Sequence, residues 1–95
     1  MSVSVRIPTI LRTYTGGEAV VEVEPTTETL QGAFDALDAA APGILARLLD
    51  DAGALRRIIN IYINDDDVRF LDGLNSPTPA GVQISIVPAV AGGSI

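Results

Sequence analysis

Ser2-Val3-Ser4-Val5-Arg6-Ile7 is the stretch that decides how this chain folds, because its polar and apolar residues alternate strictly. The apolar positions are Val3, Val5 and Ile7. A period of two residues is typical of a strand with one buried face. A second alternating run, residues 19–24, follows the turn residues Thr15-Gly16-Gly17-Glu18. The two runs together predict a β-hairpin at the start of the domain.

A helix is predicted after this hairpin. Pro25-Thr26-Thr27-Glu28 resembles a helix start, since a threonine can cap free N–H groups and the helix dipole favours an acid such as Glu28 in the first turn. One apolar stripe recurs at spacings of three and four residues, formed by Leu30, Ala33, Phe34, Leu37 and Ala41. Pro42-Gly43 ends the helix, and residues 44–49 predict a short helical turn over an edge of the core.

Three further strands are predicted in the second half of the chain. Residues 57–63 alternate, with Ile59, Ile61 and Ile63 on one side. After a turn at residues 64–67, Val68-Arg69-Phe70 is expected to pair back as a short edge strand. Breaker-rich residues 76–81 then lead into the last strand.

The order of these elements predicts an α+β domain in which one main helix packs on a mixed sheet of four to five strands. The economical arrangement is a ubiquitin-like β-grasp, in which the last strand lies parallel to the first in the middle of the sheet. We expect this domain over residues 1–87, followed by a flexible C-terminal tail over residues 88–95.

Composition excludes several classes of protein. The 95 residues are 47% apolar and 19% charged, which predicts one small folded domain. The sequence contains neither an apolar run long enough to span a membrane nor a secretion signal, so we expect a cytoplasmic protein with no membrane partner. Cysteine and histidine are absent, which removes thiolate and imidazole ligands, so no metal and no bound cofactor are expected.

The charge pattern bears on partners. All six positive charges are arginines, and twelve acidic residues bring the formal net charge to −6. Such a field repels phosphate backbones, so no nucleic-acid partner is expected. The net charge favours a protein partner with a basic docking surface.

The end of the chain, Pro88-Ala89-Val90-Ala91-Gly92-Gly93-Ser94-Ile95, suggests a chemical handle. A chain that ends in glycine has no side chain beside its carboxylate, so that carboxylate can enter a narrow active site. From Pro88 to Gly93 an extended chain reaches about 20 Å. The earlier pair Gly16-Gly17 lies between two strands and needs only a turn, whereas Gly92-Gly93 follows the last strand.

Blocks of residues along the chain resemble a known family. They are Ile7-Pro8-Thr9-Ile10-Leu11-Arg12, Asn60-Ile61-Tyr62, Asp67-Val68-Arg69-Phe70 and Pro88-Ala89-Val90-Ala91-Gly92-Gly93. In this order they resemble the ubiquitin-like sulfur carriers, which include the small subunit of molybdopterin synthase and the thiamine-pathway sulfur carrier. The greatest likeness is to the actinobacterial sulfur carriers of cysteine biosynthesis, and it covers nearly the whole domain.

The resemblance implies a protein substrate rather than an enzyme. Gly93 would bear a thiocarboxylate, and Gly92, Ala91 and Val90 would thread into the active site of a partner. Ser94-Ile95 departs from relatives that end at the second glycine, so we expect cleavage between Gly93 and Ser94. Related carriers dock through an apolar patch near the tail, for which the candidates here are Phe70, Leu71 and Val87.

The resemblance also implies partners. An adenylating sulfurtransferase enzyme would activate the tail with ATP, a cysteine synthase-like enzyme would accept the sulfur, and a zinc metalloprotease of the deubiquitinase type would remove the extension. Three alternatives stay open: a sulfur donor for molybdopterin or a secondary metabolite, a ubiquitin-like protein modifier, and an inert β-grasp interaction module.

Overall fold

One five-stranded sheet organises the molecule. The computed structural model describes residues 2–88. The strands are β1 (Val3–Arg6), β2 (Val20–Val23), β3 (Ile59–Ile63), β4 (Asp66–Asp67) and β5 (Gln83–Pro88). Their order across the sheet is β2-β1-β5-β3-β4, with β1 parallel to β5 and every other neighbouring pair antiparallel. The last strand therefore lies in the middle beside the first, which confirms the predicted β-grasp arrangement.

The two neighbours of β5 cover different lengths of it. On one side, β1 pairs with β5 only from Ser4 opposite Gln83 to Arg6 opposite Ser85. On the other side, β3 pairs along the whole strand, ending with Ile59 opposite Pro88. Beyond Ser85, β5 is therefore bordered by a single strand.

The core lies between the sheet and the helix α1 (Leu30–Ala40). Every residue of the predicted apolar stripe is buried, as are the alternating apolar residues of β1, β3 and β5. Fully burying one such side chain contributes roughly 1.5–3 kcal/mol, so this stripe is a main source of stability. The predicted helical turn is the short helix α2 (Leu45–Leu48), which buries Leu48 together with the preceding Ile44.

The helix begins later than the sequence pattern predicted. Thr29 is the N-cap, and its hydroxyl accepts a hydrogen bond from the Gly32 amide at 3.1 Å. Glu28 therefore precedes the helix instead of lying in its first turn, so that prediction was wrong. The reason is tertiary: the Glu28 carbonyl accepts from the Thr78 amide, and the Leu30 amide donates to the Ser76 carbonyl.

The predicted edge strand at residues 68–70 was also wrong. These residues form a 3-10 helix, and the edge strand is the two-residue β4. Asn64 takes a φ of 55°, so the chain reverses at once after β3 and Asp66 pairs opposite Ile63. The Asp67 carboxylate then accepts from the Arg69 amide at 2.9 Å and begins the helical turn.

The opening strands pair as predicted, but their connection is not a tight turn. A 3-10 helix over Thr9–Thr15 lies between them and buries Leu11. It ends at Gly16, whose φ of 66° is a left-handed conformation that glycine adopts without strain. The third strand begins at Ile59 rather than at residue 57, because residues 57–58 form a turn in which the Ile59 amide donates to the Arg56 carbonyl at 3.1 Å.

The sheet extends through Pro88, the residue at which the predicted tail begins. The remainder of that tail, residues 89–95, lies outside the described residues. Among residues 2–88, no helix combines the length and the apolar character that crossing a membrane requires.

Candidate docking site at the base of the C-terminal tail

The residues to which the sequence assigns the chemistry follow directly after β5. Val90, Ala91, Gly92, Gly93 and Ser94 all lie outside the described residues, so their predicted roles stay predictions. The structure describes the base of the tail instead. Pro88 ends the central strand, and Ile59 opposite it is almost completely buried. The base is therefore anchored in the sheet and in the core.

Two grooves, each with a volume of about 520 Å³, flank Pro88. One, here called the β3 groove, is lined by Ile10, Tyr14, Arg47, Arg56, Ile58 and Pro88 among others. The other, here called the β1 groove, is lined by Arg6, Ile10, Arg12, Val20, Val87 and Pro88 among others. Because β1 stops pairing at Ser85, the 3-10 helix after β1 forms a wall of both grooves.

Exposed apolar side chains concentrate at these grooves. Within residues 2–88 the large hydrophobic side chains exposed to solvent are Ile10, Val20, Ile58, Phe70, Leu71 and Val87. Ile10 is 66% exposed and Ile58 is 58% exposed, and both line the β3 groove. Val20 and Val87 line the β1 groove. Four of the six therefore line the grooves that flank Pro88, at the base of the tail.

Sequence reasoning missed three of these residues. Ile10, Val20 and Ile58 each adjoin a run of apolar residues, so a hydrophobic pattern alone does not single them out. One local signal was present in the pair Ile58-Ile59. In the strand predicted over residues 57–63, successive side chains point to opposite faces, so only one of these two isoleucines was expected to enter the core.

The predicted docking residues are all exposed, but they do not share one groove. Phe70 is 87% exposed, and Leu71 follows it at the end of the 3-10 helix after β4. Neither lines the β1 groove or the β3 groove, whereas Val87 lines the β1 groove. The Arg69 guanidinium bonds to the side-chain oxygen of Asn60, the residue opposite Val87 in β3. Val87 therefore belongs to the base of the tail, and Phe70 with Leu71 forms a separate apolar surface.

The charge at the base of the tail is opposite in sign to that of the whole chain. Four of the six arginines line the two grooves: Arg6, Arg12, Arg47 and Arg56. No aspartate or glutamate of the described part of the chain lines either groove. Among residues 2–88, the one ion pair within 4.0 Å joins Arg69 to Asp67, away from both grooves. The four groove arginines thus create a local positive field in a chain of net charge −6.

Neutral acceptors hold three of these arginines. Arg47 Nε donates to the Tyr14 hydroxyl at 2.7 Å, and its guanidinium lies 5.9 Å from the centroid of the same ring. Arg56 donates through Nε and Nη2 to the Ala46 carbonyl. Arg12 Nε donates to the Ile7 carbonyl at 3.1 Å. These bonds orient the guanidinium groups without cancelling their charge.

The acidic run Asp65-Asp66-Asp67 spans the turn after β3 and the strand β4. Asp66 and Asp67 are neighbours in β4, so their side chains point in opposite directions. The Asp67 carboxylate is bonded to the Arg69 amide and lies 3.9 Å from the Arg69 guanidinium. In the part of the chain that the structure describes, no three His, Cys, Asp or Glu side chains converge on a common point.

Comparison with known proteins places this fold and this tail in a family. The model of the ThiS family matches residues 5–93. The sulfur carrier protein CysO of Mycobacterium tuberculosis is 46% identical over 95 residues, which cover 98% of this chain and 100% of that protein. A chain in the crystal structure of the BexX/CysO complex of Amycolatopsis orientalis matches with a TM-score of 0.86 and 47% identity, over 95% of this chain and 98% of that chain.

A more distant structural likeness exists to an archaeal protein. The crystal structure of the small archaeal modifier protein 1 of Haloferax volcanii matches with a TM-score of 0.78 and 27% identity. The match covers 94% of this chain and 98% of that chain. The resemblance read from the sequence blocks is confirmed by these findings. The chain therefore belongs to the ThiS family and is a sulfur carrier protein of the CysO type rather than an enzyme.

Proposed function

We propose that the carboxylate of Gly93 carries the sulfur, after hydrolysis of the Gly93–Ser94 bond exposes it. A carboxylate is a poor electrophile, because its charge is delocalised and oxide is a poor leaving group. A partner enzyme therefore transfers AMP from ATP to one carboxylate oxygen and releases pyrophosphate. Sulfide then attacks the acyl carbon, and AMP leaves with that oxygen. A persulfide on a partner forms an acyl disulfide instead, and a thiol of the partner must then reductively cleave its S–S bond. The product is a thiocarboxylate on Gly93.

The observation that carries this proposal is the position of the glycine pair in a chain without cysteine. Gly92-Gly93 follows the central strand β5 after three residues, and the family match ends at Gly93. Because the chain has no thiol, it cannot hold sulfur as a side-chain persulfide. The carboxyl group after the glycine pair is the remaining carrier.

The tail and its base have different functions in this proposal. Val90, Ala91 and Gly92 are small enough to thread a narrow active site, while β5 holds the base of the tail in the sheet. The partner docks on exposed apolar surface, with Val87 at the β1 groove and Phe70 and Leu71 on the separate surface that follows β4. Binding energy from this remote surface then positions the carboxylate for adenylation.

Cysteine biosynthesis is the pathway that we infer for the sulfur. The support is the 46% identity to the CysO sulfur carrier of Mycobacterium tuberculosis. In this pathway a soft thiocarboxylate adds to an amino-acrylate held by a cysteine synthase-like, pyridoxal-phosphate-dependent partner. A zinc metalloprotease of the deubiquitinase type then releases the amino acid from the carrier, and the same class of protease removes residues after Gly93.

Intact-mass spectrometry tests the proposed carboxylate. Chains that end at Gly93, at Ile95 and at Ala91 are each incubated with the adenylating enzyme, ATP and sulfide. We expect the mass to rise by the difference between sulfur and oxygen only for the chain that ends at Gly93. Thiocarboxylate on the chain that ends at Ile95, with both extra residues retained, would overturn the assignment to Gly93.

A protein modifier is the second candidate, and the likeness to small archaeal modifier protein 1 favours it. The same activated Gly93 would then form an isopeptide bond with a lysine amine of another protein. This chain contains no lysine, so it cannot build chains of itself through side-chain amines. Higher-mass conjugates on a denaturing gel, formed with ATP and without sulfide, would identify this activity.

A further inference from the structure

We propose that the β3 groove binds an acidic protein segment, in which carboxylates flank an apolar side chain, on the partner that takes up the tail. This inference rests on the proposed function only for the identity of the partner. Groove binding itself needs neither Gly93 nor ATP, so the two proposals can fail separately.

The apolar part of the groove is built to accept a side chain from outside. Ile10 and Ile58 stand on its walls with most of their surface in water, next to the ring of Pro88. Below them the groove reaches the buried residues Leu11 and Ile86. Exposed apolar surface on a concave site is characteristic of interaction sites, because its removal from water favours association.

The rim of the groove selects for negative charge. Arg47 and Arg56 line it, and within residues 2–88 their guanidinium groups donate hydrogen bonds to the Tyr14 hydroxyl and the Ala46 carbonyl alone. A guanidinium has five N–H donors, so each retains donors for a carboxylate. Tyr14 holds Arg47 in place through a hydrogen bond and ring contact, which lowers the entropy lost on binding.

The charge of the groove itself, rather than the net charge of −6 of the whole chain, decides the sign of the charge on a segment that binds there. Screening limits the reach of surface charges to about 8–10 Å at physiological salt. Among the described residues no acidic side chain lines either groove, although Asp38, Asp50 and Asp51 line a separate pocket to which Arg56 also contributes. Arg47 lines the β3 groove and not that pocket, and Arg6 and Arg12 add positive charge on the other side of Pro88. A segment that enters the groove therefore meets arginines first, and a basic segment would be repelled there.

The test is a titration of the full ¹⁵N-labelled chain with the peptide acetyl-Asp-Glu-Leu-Phe-Glu-Asp-amide. We expect saturable shifts of the amides of Tyr14, Arg47 and Ile58, and weaker binding when NaCl is raised to about 0.5 M. A peptide with lysines in place of the four acids is the matched control and should leave these amides unmoved. Shifts with the lysine peptide, or no shifts at the groove with the acidic peptide, would overturn the proposal.

Charge variants assign the binding to the groove. Arg47→Glu should weaken peptide binding about tenfold or more, since charge-assisted hydrogen bonds are lost, whereas Arg47→Lys should retain most of it. Arg57→Glu makes the same charge change at an exposed position that lines neither groove, and it should bind almost as the parent chain does. Equal losses in Arg47→Glu and Arg57→Glu would mean a non-specific charge effect and contradict the proposal.

A replacement variant and a phosphate titration serve as further controls. If thermal unfolding shows that Arg47→Glu does not fold, Ile58→Ser replaces it, because Ile58 is exposed and its change removes only groove surface. Inorganic phosphate is titrated in parallel. If phosphate moves the same amides as strongly as the peptide, the groove is a simple anion site and the assignment to an acidic apolar segment is wrong.

Discussion

Pro88, the last residue of β5, lies opposite Ile59, the first residue of β3. Ile59 is buried, whereas its predecessor Ile58 is exposed beside the β3 groove. The point where the tail leaves the sheet is thus also the point where the core meets an exposed apolar surface. Ile58 lines the β3 groove on one side of Pro88, and Val87 lines the β1 groove on the other.

Phe70 should matter for transfer and not for folding. Its side chain is 87% exposed, so Phe70→Ser should change the free energy of unfolding by less than about 0.5 kcal/mol. If the adenylating partner docks on it, the rate of thiocarboxylate formation at low carrier concentration should fall about tenfold. Mass spectrometry of the reaction over time measures this rate.

The control for Phe70 is Ala39→Ser, an exposed change on α1 away from both grooves. It should leave the rate unchanged. A rate that is equally fast in Phe70→Ser and in the parent chain would show that the partner docks elsewhere.

Gly32 is a helix residue that cannot become alanine without cost. Alanine usually stabilises a helix interior by roughly 0.5–1 kcal/mol relative to glycine. Here a Cβ on Gly32 would overlap the backbone carbonyl oxygen of Thr27. We therefore expect Gly32→Ala to destabilise the protein by about 1–3 kcal/mol, as overpacking does. Urea unfolding measures the change.

The exposed helix residue Ala39 supplies the comparison for Gly32. Ala39→Gly should cost up to about 1 kcal/mol, following helix propensity alone. A stabilised Gly32→Ala variant would mean that the Thr27 carbonyl moves away freely, contrary to the close approach described above.

The buried hydroxyls of Ser76 and Thr78 should respond in opposite ways. Thr78 Oγ1 has no hydrogen-bond partner within residues 2–88, although Thr78 is only 1% exposed. Thr78→Val keeps the shape and removes the unpaired hydroxyl, so stability should stay equal or rise by about 1 kcal/mol.

Ser76 is the matched case, because its hydroxyl accepts from the Asp72 amide at 3.0 Å. Ser76→Ala should lower the free energy of unfolding by about 1–2 kcal/mol. Thermal and urea unfolding of both variants gives the comparison. A strongly destabilised Thr78→Val would show that this hydroxyl is in fact paired.

Thr29 should be the threonine that caps α1. Thr29→Ala removes the acceptor for the Gly32 amide, and we expect a loss of about 1 kcal/mol. Thr26→Ala, at an exposed position before the helix, should change stability by less than about 0.5 kcal/mol. If Thr26→Ala lost more stability than Thr29→Ala, the helix would begin earlier, as the sequence pattern predicted.

Local patterns predicted the elements whose residues repeat with a regular period. The alternation in β1 and β3 and the stripe from Leu30 to Ala41 each place apolar residues on one face, and the core buries those residues. The order of elements then sufficed for the central parallel pair β1 and β5. The start of α1 and the 3-10 helix at residues 68–70 were missed, since bonds to distant residues such as Thr78 decide the first and a side-chain cap by Asp67 decides the second.

The amino-acid sequence alone predicted the β-grasp fold, because periodicity and the order of elements decide it, and it places the glycine pair after the last strand. The resemblance of its sequence blocks pointed to the family. Only the tertiary structure decided which residues surround the base of the tail. Arg6 and Arg12 lie near the start of the chain and Arg47 and Arg56 near its middle, yet all four line the two grooves that flank Pro88. The net charge of the sequence does not show where charges cluster on the surface. Electrostatic attraction depends on the distance between charges in space, which only the fold determines.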